Sequence, residues 1–147
     1  MKIGDRKIEL NGLLWDTENF SINSKVYFTK EETEKLFPFG KKRLPTISEL
    51  NDLFYLHHKW DENLKGVWFA KKAIELGTSE SLFIPAMGSS SLLASYEIFD
   101  IGFKGRYWSS SATTIDTPYY LWFREKNHDI EYGNHTQILS IRLVQDI

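Results

Sequence analysis

Three stretches decide how this chain folds: Gly105-Arg106-Tyr107-Trp108-Ser109-Ser110-Ser111, then Tyr119-Tyr120-Leu121-Trp122-Phe123, then Ser140-Ile141-Arg142-Leu143-Val144. The first runs from bulky aromatics into small hydroxyl side chains. The second is aromatic-rich and the third β-branched, so all three read as strands. Between the last two lies a polar segment, 124–137, rich in side chains that make adaptable contacts. A rigid β scaffold presenting one polar surface is expected, which favours recognition over catalysis.

Upstream, the strand periodicity continues back to Gly66. The runs VWFAKKAIEL and SLFIPAM read as β segments, with a turn at Gly77-Thr78-Ser79-Glu80. Residues 88–100 read as a loop. Before Gly66 the pattern is helical. Thr29 followed by Glu32, and Thr46 followed by Glu49, each have the spacing of a capping box. The first helix is expected to end near Leu36-Phe37, before Pro38 and Gly40. The second, with Leu50, Leu53 and Phe54 on one face, is expected to reach His57 or His58. The charged run 59–65 reads as a solvated loop, and Lys25-Val26-Tyr27-Phe28 as a short strand. At the start, Asn11-Gly12 between apolar runs in KIELNGLLW signals a tight hairpin, because a type I′ turn needs positive φ at both positions. Two early helices and many later strands give an α+β reading for one domain over 1–147.

Composition narrows the function. Aromatics make up 15% of the 147 residues, enough to furnish a binding face as well as a core. A net charge of −2 argues against a nucleic-acid partner. With no cysteine, disulfides, thiolate metal sites and cysteine nucleophiles are excluded. No stretch approaches the about 20 apolar residues of a membrane span, and MKIGDRKIEL is not a signal peptide. A cytoplasmic or virion setting is expected, unless the chain is cut from a secreted protein.

Several segments, in order, resemble a bacterial family. They are Asn11-Gly12 with Trp15, Arg43-Leu44-Pro45-Thr46 with Glu49-Leu50, Gly66-Val67-Trp68-Phe69, Leu82-Phe83-Ile84-Pro85-Ala86-Met87-Gly88, Gly105 to Ser111 and Ser140 to Val144. The set is similar to the Fibrobacter succinogenes major paralogous domain, close to the domain of unknown function 1566. That resemblance implies a C-type lectin-like fold: two helices flanking a small, twisted, mainly antiparallel sheet with paired N- and C-terminal strands. Ile141, Leu143, Ile8 and Leu10 would bury one face of that terminal pair. The resemblance also implies a variable protein of a diversity-generating retroelement, in phage or bacteria. There adenine-directed mutagenesis diversifies a C-terminal surface and favours Asn, Tyr, Asp, His, Ser and Thr.

The candidate ligand-binding residues are Tyr107, Thr113, Thr114, Asp116, Tyr119, Tyr120, Trp122, Arg124, Asn127, His128, Asp129, Tyr132, Asn134, His135 and Gln137. Tyrosine and tryptophan bring stiff contact area, the others adaptable hydrogen bonds. The partner is expected to be a protein or a cell-surface glycan. Calcium-dependent sugar binding is not expected. The acidic–proline–amide order is missing around Pro118, as is a Trp-Asn-Asp strand, and calcium wants 6–8 oxygen ligands. Nor is a metal or other cofactor expected, since His57 and His58 would point apart on a helix and His128 and His135 lie in the polar segment. No Gly-x-Ser-x-Gly frame surrounds Ser109-Ser110-Ser111, so these serines read as small packing residues, not nucleophiles. Trp15, Trp68, Phe83 and Trp108 read as core, Pro85 as an edge or bulge position, and Arg142 as solvent-facing or acid-paired. The chain is expected not to be an enzyme. The alternative is a structural or assembly module of a bacterial surface or phage tail protein.

Overall fold

A computed structural model describes residues 6–37, 41–95, 97–112 and 117–147. Among the described residues, twelve short strands and two short α-helices follow in this order: β1 Lys7–Leu10, β2 Leu13–Asp16, α1 Lys30–Leu36, β3 Lys42–Arg43, α2 Ile47–Asp52, β4 His57–Asp61, β5 Gly66–Ala70, β6 Leu82–Pro85, β7 Ser90–Ser91, β8 Gly105–Ala112, β9 Pro118–Phe123, β10 His128–Tyr132, β11 Gln137–Ile138 and β12 Val144–Asp146. The fold is mixed α and β. The strands pair antiparallel in four small sheets, ordered β1-β2-β12-β3, β4-β5-β6, β7-β11 and β8-β9-β10.

Local chemistry sets the early elements as read. Asn11 (φ 53°) and Gly12 (φ 77°) form the tight turn between β1 and β2. Both capping boxes are present, with Thr29 and Thr46 accepting the Glu32 and Glu49 amides. The chain's two ends meet where β12 pairs with β2, Val144 opposite Trp15. Arg43 ties that pairing to α2. Its guanidinium makes a two-pronged bond to Glu49 (2.8 and 2.9 Å) and reaches Asp146 (2.9 and 3.1 Å). The Arg43 bond, above all, holds the Glu49 carboxyl below its ordinary value.

Sheet β8-β9-β10 divides the core. Alternation sends Tyr107, Leu121 and Phe123 into a large cluster with Trp15, Leu50, Leu53 and Phe69. It sends Trp108 and Tyr120 the other way, onto Phe28, Leu139, Ile141 and Leu143. The serine run then breaks the register: Trp108 faces Tyr120, but the next pair is Ala112 with Pro118. Within this bulge Ser109 Oγ donates to the Tyr119 carbonyl (2.8 Å) and accepts the Ser111 amide. The Ser110 amide donates to the Pro45 carbonyl (2.8 Å), and Ser111 Oγ accepts the Ile47 amide (3.0 Å) at the start of α2. From α1, the buried Lys30 ammonium donates to the Ser109 carbonyl (2.6 Å). Both helices are thereby docked on one bulge.

Several expectations are corrected. Helix α2 ends at Asp52 and a 3-10 turn ends at Tyr55. His57 and His58 belong to strand β4, and 59–65 is a hairpin, not a loop. Asp61 Oδ1 closes it by accepting the Asn63 and Leu64 amides, a local side-chain turn that competes with helix. Residues 25–28 carry isolated bridges, not a strand. Strand β5 stops at Ala70, so Lys71 to Leu76 lie outside it. Trp68 and Phe83 are half-buried and pack on one another at 4.9 Å. Ile8 and Leu10 are buried with the larger cluster, Ile141 and Leu143 with the other, so they do not share a face.

Arg142 is neither solvent-facing nor hydrogen-bonded to an acid. It is fully buried and donates to the Asn19 side-chain carbonyl (3.0 and 2.8 Å) and the Asp16 backbone carbonyl (3.1 Å). Burial, first of all, lowers its pKa. Asn19 in turn donates to the Tyr107 hydroxyl (2.8 Å), which donates to the Pro85 carbonyl (2.7 Å). Pro85 closes the outer strand β6, consistent with an edge position.

Two outcomes are expected. Trp108→Ala removes a ring that fills the smaller cluster and donates to the Phe28 carbonyl, so it should cost about 3–5 kcal/mol in denaturant unfolding. A depressed carboxyl adds stability above its ordinary value of 4.5 that is lost as pH falls through the folded value. Arg43→Met should therefore lower Tm at pH 7 and flatten the decline of Tm below about pH 4.5.

Candidate functional site

Strand β10 is an outer strand, hydrogen-bonded along its length to β9 from His128 opposite Phe123 to Tyr132 opposite Tyr119. Its backbone is fixed while most of its side chains face solvent. With the turn before it and the loop after it, it forms an arm over 124–137. Gly133 anchors the arm. It is buried, its amide donates to the Pro118 carbonyl (2.7 Å), and an added Cβ would stand 2.6 Å from the Trp108 ring.

The candidate residues fall into distinct groups. Arg124, Asn127, Asp129, Tyr132 and His135 are exposed on this arm. Tyr132, 63% exposed, packs on half-buried Tyr119 with ring centres 4.8 Å apart. His128 lies flat on Phe54 at 3.9 Å, and burial, then the nearby His58, lowers its pKa. Asn134 and Gln137 shape the loop. Asn134 Oδ1 accepts the Thr136 amide, and Gln137 Oε1 accepts the Asn134 amide, both at 2.9 Å. Gln137 also pairs with Ser91 in the β7–β11 ladder.

Two candidates are corrected outright. Tyr107 is 1% exposed and belongs to the core relay with Asn19, and burial pushes its pKa up to about 12. Tyr120 is buried edge-on against Trp108, its hydroxyl taken by Glu131. Both β8 and β9 are covered on two faces, so strand alternation does not expose every second aromatic. Thr113, Thr114 and Asp116 lie outside the described residues.

Reasoning from sequence missed a basic cluster beside the arm. Arg106 of β8 lies directly opposite Trp122 of β9, with Lys104 just before β8 and Arg124 just after β9. The Lys104 ammonium sits 4.5 Å from the Trp122 ring centre and the Arg124 guanidinium 5.9 Å. Period-two spacing of basic residues around an aromatic was the signal. The buried Trp122 indole N–H has no acceptor among the described residues. Among them, too, no group of three or more His, Asp or Glu could hold a metal ion, and no helix is long and apolar enough to cross a membrane.

No protein-family model, curated protein or solved structure matches this chain.

If the arm's outward side chains are dispensable to folding, a combined Asn127→Ala, Tyr132→Ala, His135→Ala variant should lose less than about 1 kcal/mol, most of it from the Tyr119 contact. Gly133→Ala, in the same arm, should cost more than all three together, because Trp108 has no room to move. Chemical unfolding of the two variants beside the parent checks both.

Proposed function

We propose that this chain is a non-catalytic recognition domain of C-type lectin-like architecture, binding a protein or cell-surface glycan through the 124–137 arm without calcium. One observation carries the reading. The arm's backbone is locked into a sheet, while Arg124, Asn127, Asp129, Tyr132 and His135 project into solvent. Side chains there bind without disturbing the core, and the rigid backbone spares the ordering cost that a loose loop incurs. The paired terminal strands and two capped helices agree with the architecture.

The retroelement version extends this reading. Asn127, Asp129, Tyr132, Asn134 and His135 are residue types that adenine-directed codon changes favour, and they stand on the exposed arm. A second reading, an assembly module of a bacterial surface or phage tail protein, is favoured by a different observation. Leu93, Phe99, Ile101 and Phe103 expose apolar side chains in succession, as at a protein interface.

Arrays of bacterial surface proteins and glycans, probed with parent and the triple arm variant, test the recognition reading. Binding by the parent that the folded variant loses supports it; equal binding by both refutes it. Sequencing the locus from several isolates tests the extension. Adenine-position changes confined to about codons 105–144, beside a reverse transcriptase, are expected, and an invariant locus would end that version.

A further inference from the structure

A cavity of about 480 Å³ opens beside the arm, with Trp60 and Phe103 and the charged Glu62, Lys104, Arg124 and Glu125 in its wall. Its charges are not all matched. Lys65 pairs with Glu62, which also accepts the Trp60 indole N–H (2.9 Å), and Asp100 pairs with Arg106 (3.2 Å). That leaves Lys104, Arg124 and Glu125 with no ion-pair partner among the described residues, and the two cations flank Trp122. Lys104 is only 9% exposed and lines the cavity. Lys104 is desolvated and attracted by Glu131 and Asp100 without a direct ion pair to either, so an anion entering the cavity would supply a counter-charge at contact. Burial, then the nearby Arg106, lowers the Lys104 pKa, with Arg124 adding to that and Glu131 and Asp100 opposing it.

The rest of the lining selects among anions. Glu62 and Glu125 in the lining disfavour a multiply charged group such as phosphate, but can accept hydrogen bonds from hydroxyls. The Arg124 fork matches a planar carboxylate, and Trp60 and the 73%-exposed Phe103 offer flat apolar faces. We propose that this cavity binds an acidic sugar of the uronic acid class, its carboxylate between Lys104 and Arg124 and its ring against Trp60 and Phe103. The inference rests on the recognition reading and names a ligand class for the part of the arm that begins at Arg124.

Titration of the ¹⁵N-labelled full chain with sodium glucuronate, followed by NMR, tests it. Glucose, sodium sulfate and sodium chloride at matched ionic strength serve as controls. Saturable shifts are expected at the Trp60 indole and the Gly102 and Phe103 amides. Arg124→Ala and Lys104→Met should each weaken binding about tenfold, the loss of one charge-assisted bond. Glucose should bind far more weakly. Shifts that sulfate or chloride reproduces, or that survive in both variants, would overturn the proposal. Arg124→Ala, at an exposed position, keeps the test decisive should Lys104→Met fold poorly. On the arrays above, a partner lost by the triple arm variant but kept by Arg124→Ala and Lys104→Met would sink the acidic-sugar site alone. Equal binding by the triple variant would sink the recognition reading instead.

Discussion

The serine bulge in β8 is the constraint on which the rest of this structure depends. A regular strand would spend its backbone groups on its neighbours. Here the register shift frees the Ser109 carbonyl and the Ser110 amide, and each goes to a helical segment: the first to Lys30 of α1, the second to Pro45 just before α2. Ser109 and Ser111 hydroxyls bond the bulge's own turn and the first amide of α2. Small hydroxyl side chains are needed because they fill little space and carry a donor and two acceptors. Buried backbone groups left unpaired would cost about 1–3 kcal/mol each, so the bulge holds only while both helices stay docked.

That arrangement explains why one side of the molecule is free to serve recognition. Trp108, next to the bulge, fills the smaller cluster, and Gly133 lies against its ring. The arm is thus fixed at Gly133 and along β10, and its outward side chains take no part in either core cluster. The basic cluster at Lys104, Arg106 and Arg124 lies on the same sheet, at the end away from the bulge. Fold-bearing and surface-bearing residues are separated by strand geometry rather than by distance along the chain.

Much of the fold was legible because its signals are local. The Asn11-Gly12 turn and the two capping boxes need four residues each. Trp15 and Trp108 announce a core by size. What escaped depends on distant partners. Strand β4 reads as a helix end running into a charged loop, since it is an outer strand whose His57, His58 and Lys59 meet solvent. Arg142 reads as a surface charge because its acceptors, Asn19 and Asp16, lie more than a hundred residues earlier. Tyr107 and Tyr120 read as contact residues because nothing nearby in the chain reveals that both faces of β8 and β9 are covered. The arm itself was legible as a polar segment, but its division into free residues and loop-shaping ones, Asn134 and Gln137, required the hydrogen bonds.

With fold and surface separated in this way, the fold should not depend on the identity of the arm's outward side chains. Saturation mutagenesis of positions 105–144, scored by protease resistance of each folded variant, tests it most directly. Broad tolerance is expected at Arg124, Asn127, Asp129, Tyr132 and His135, and sharp intolerance at Trp108, Ser109, Leu121, Phe123, Gly133 and Arg142. Uniform sensitivity through the arm, or tolerance at Ser109 and Gly133, would contradict it.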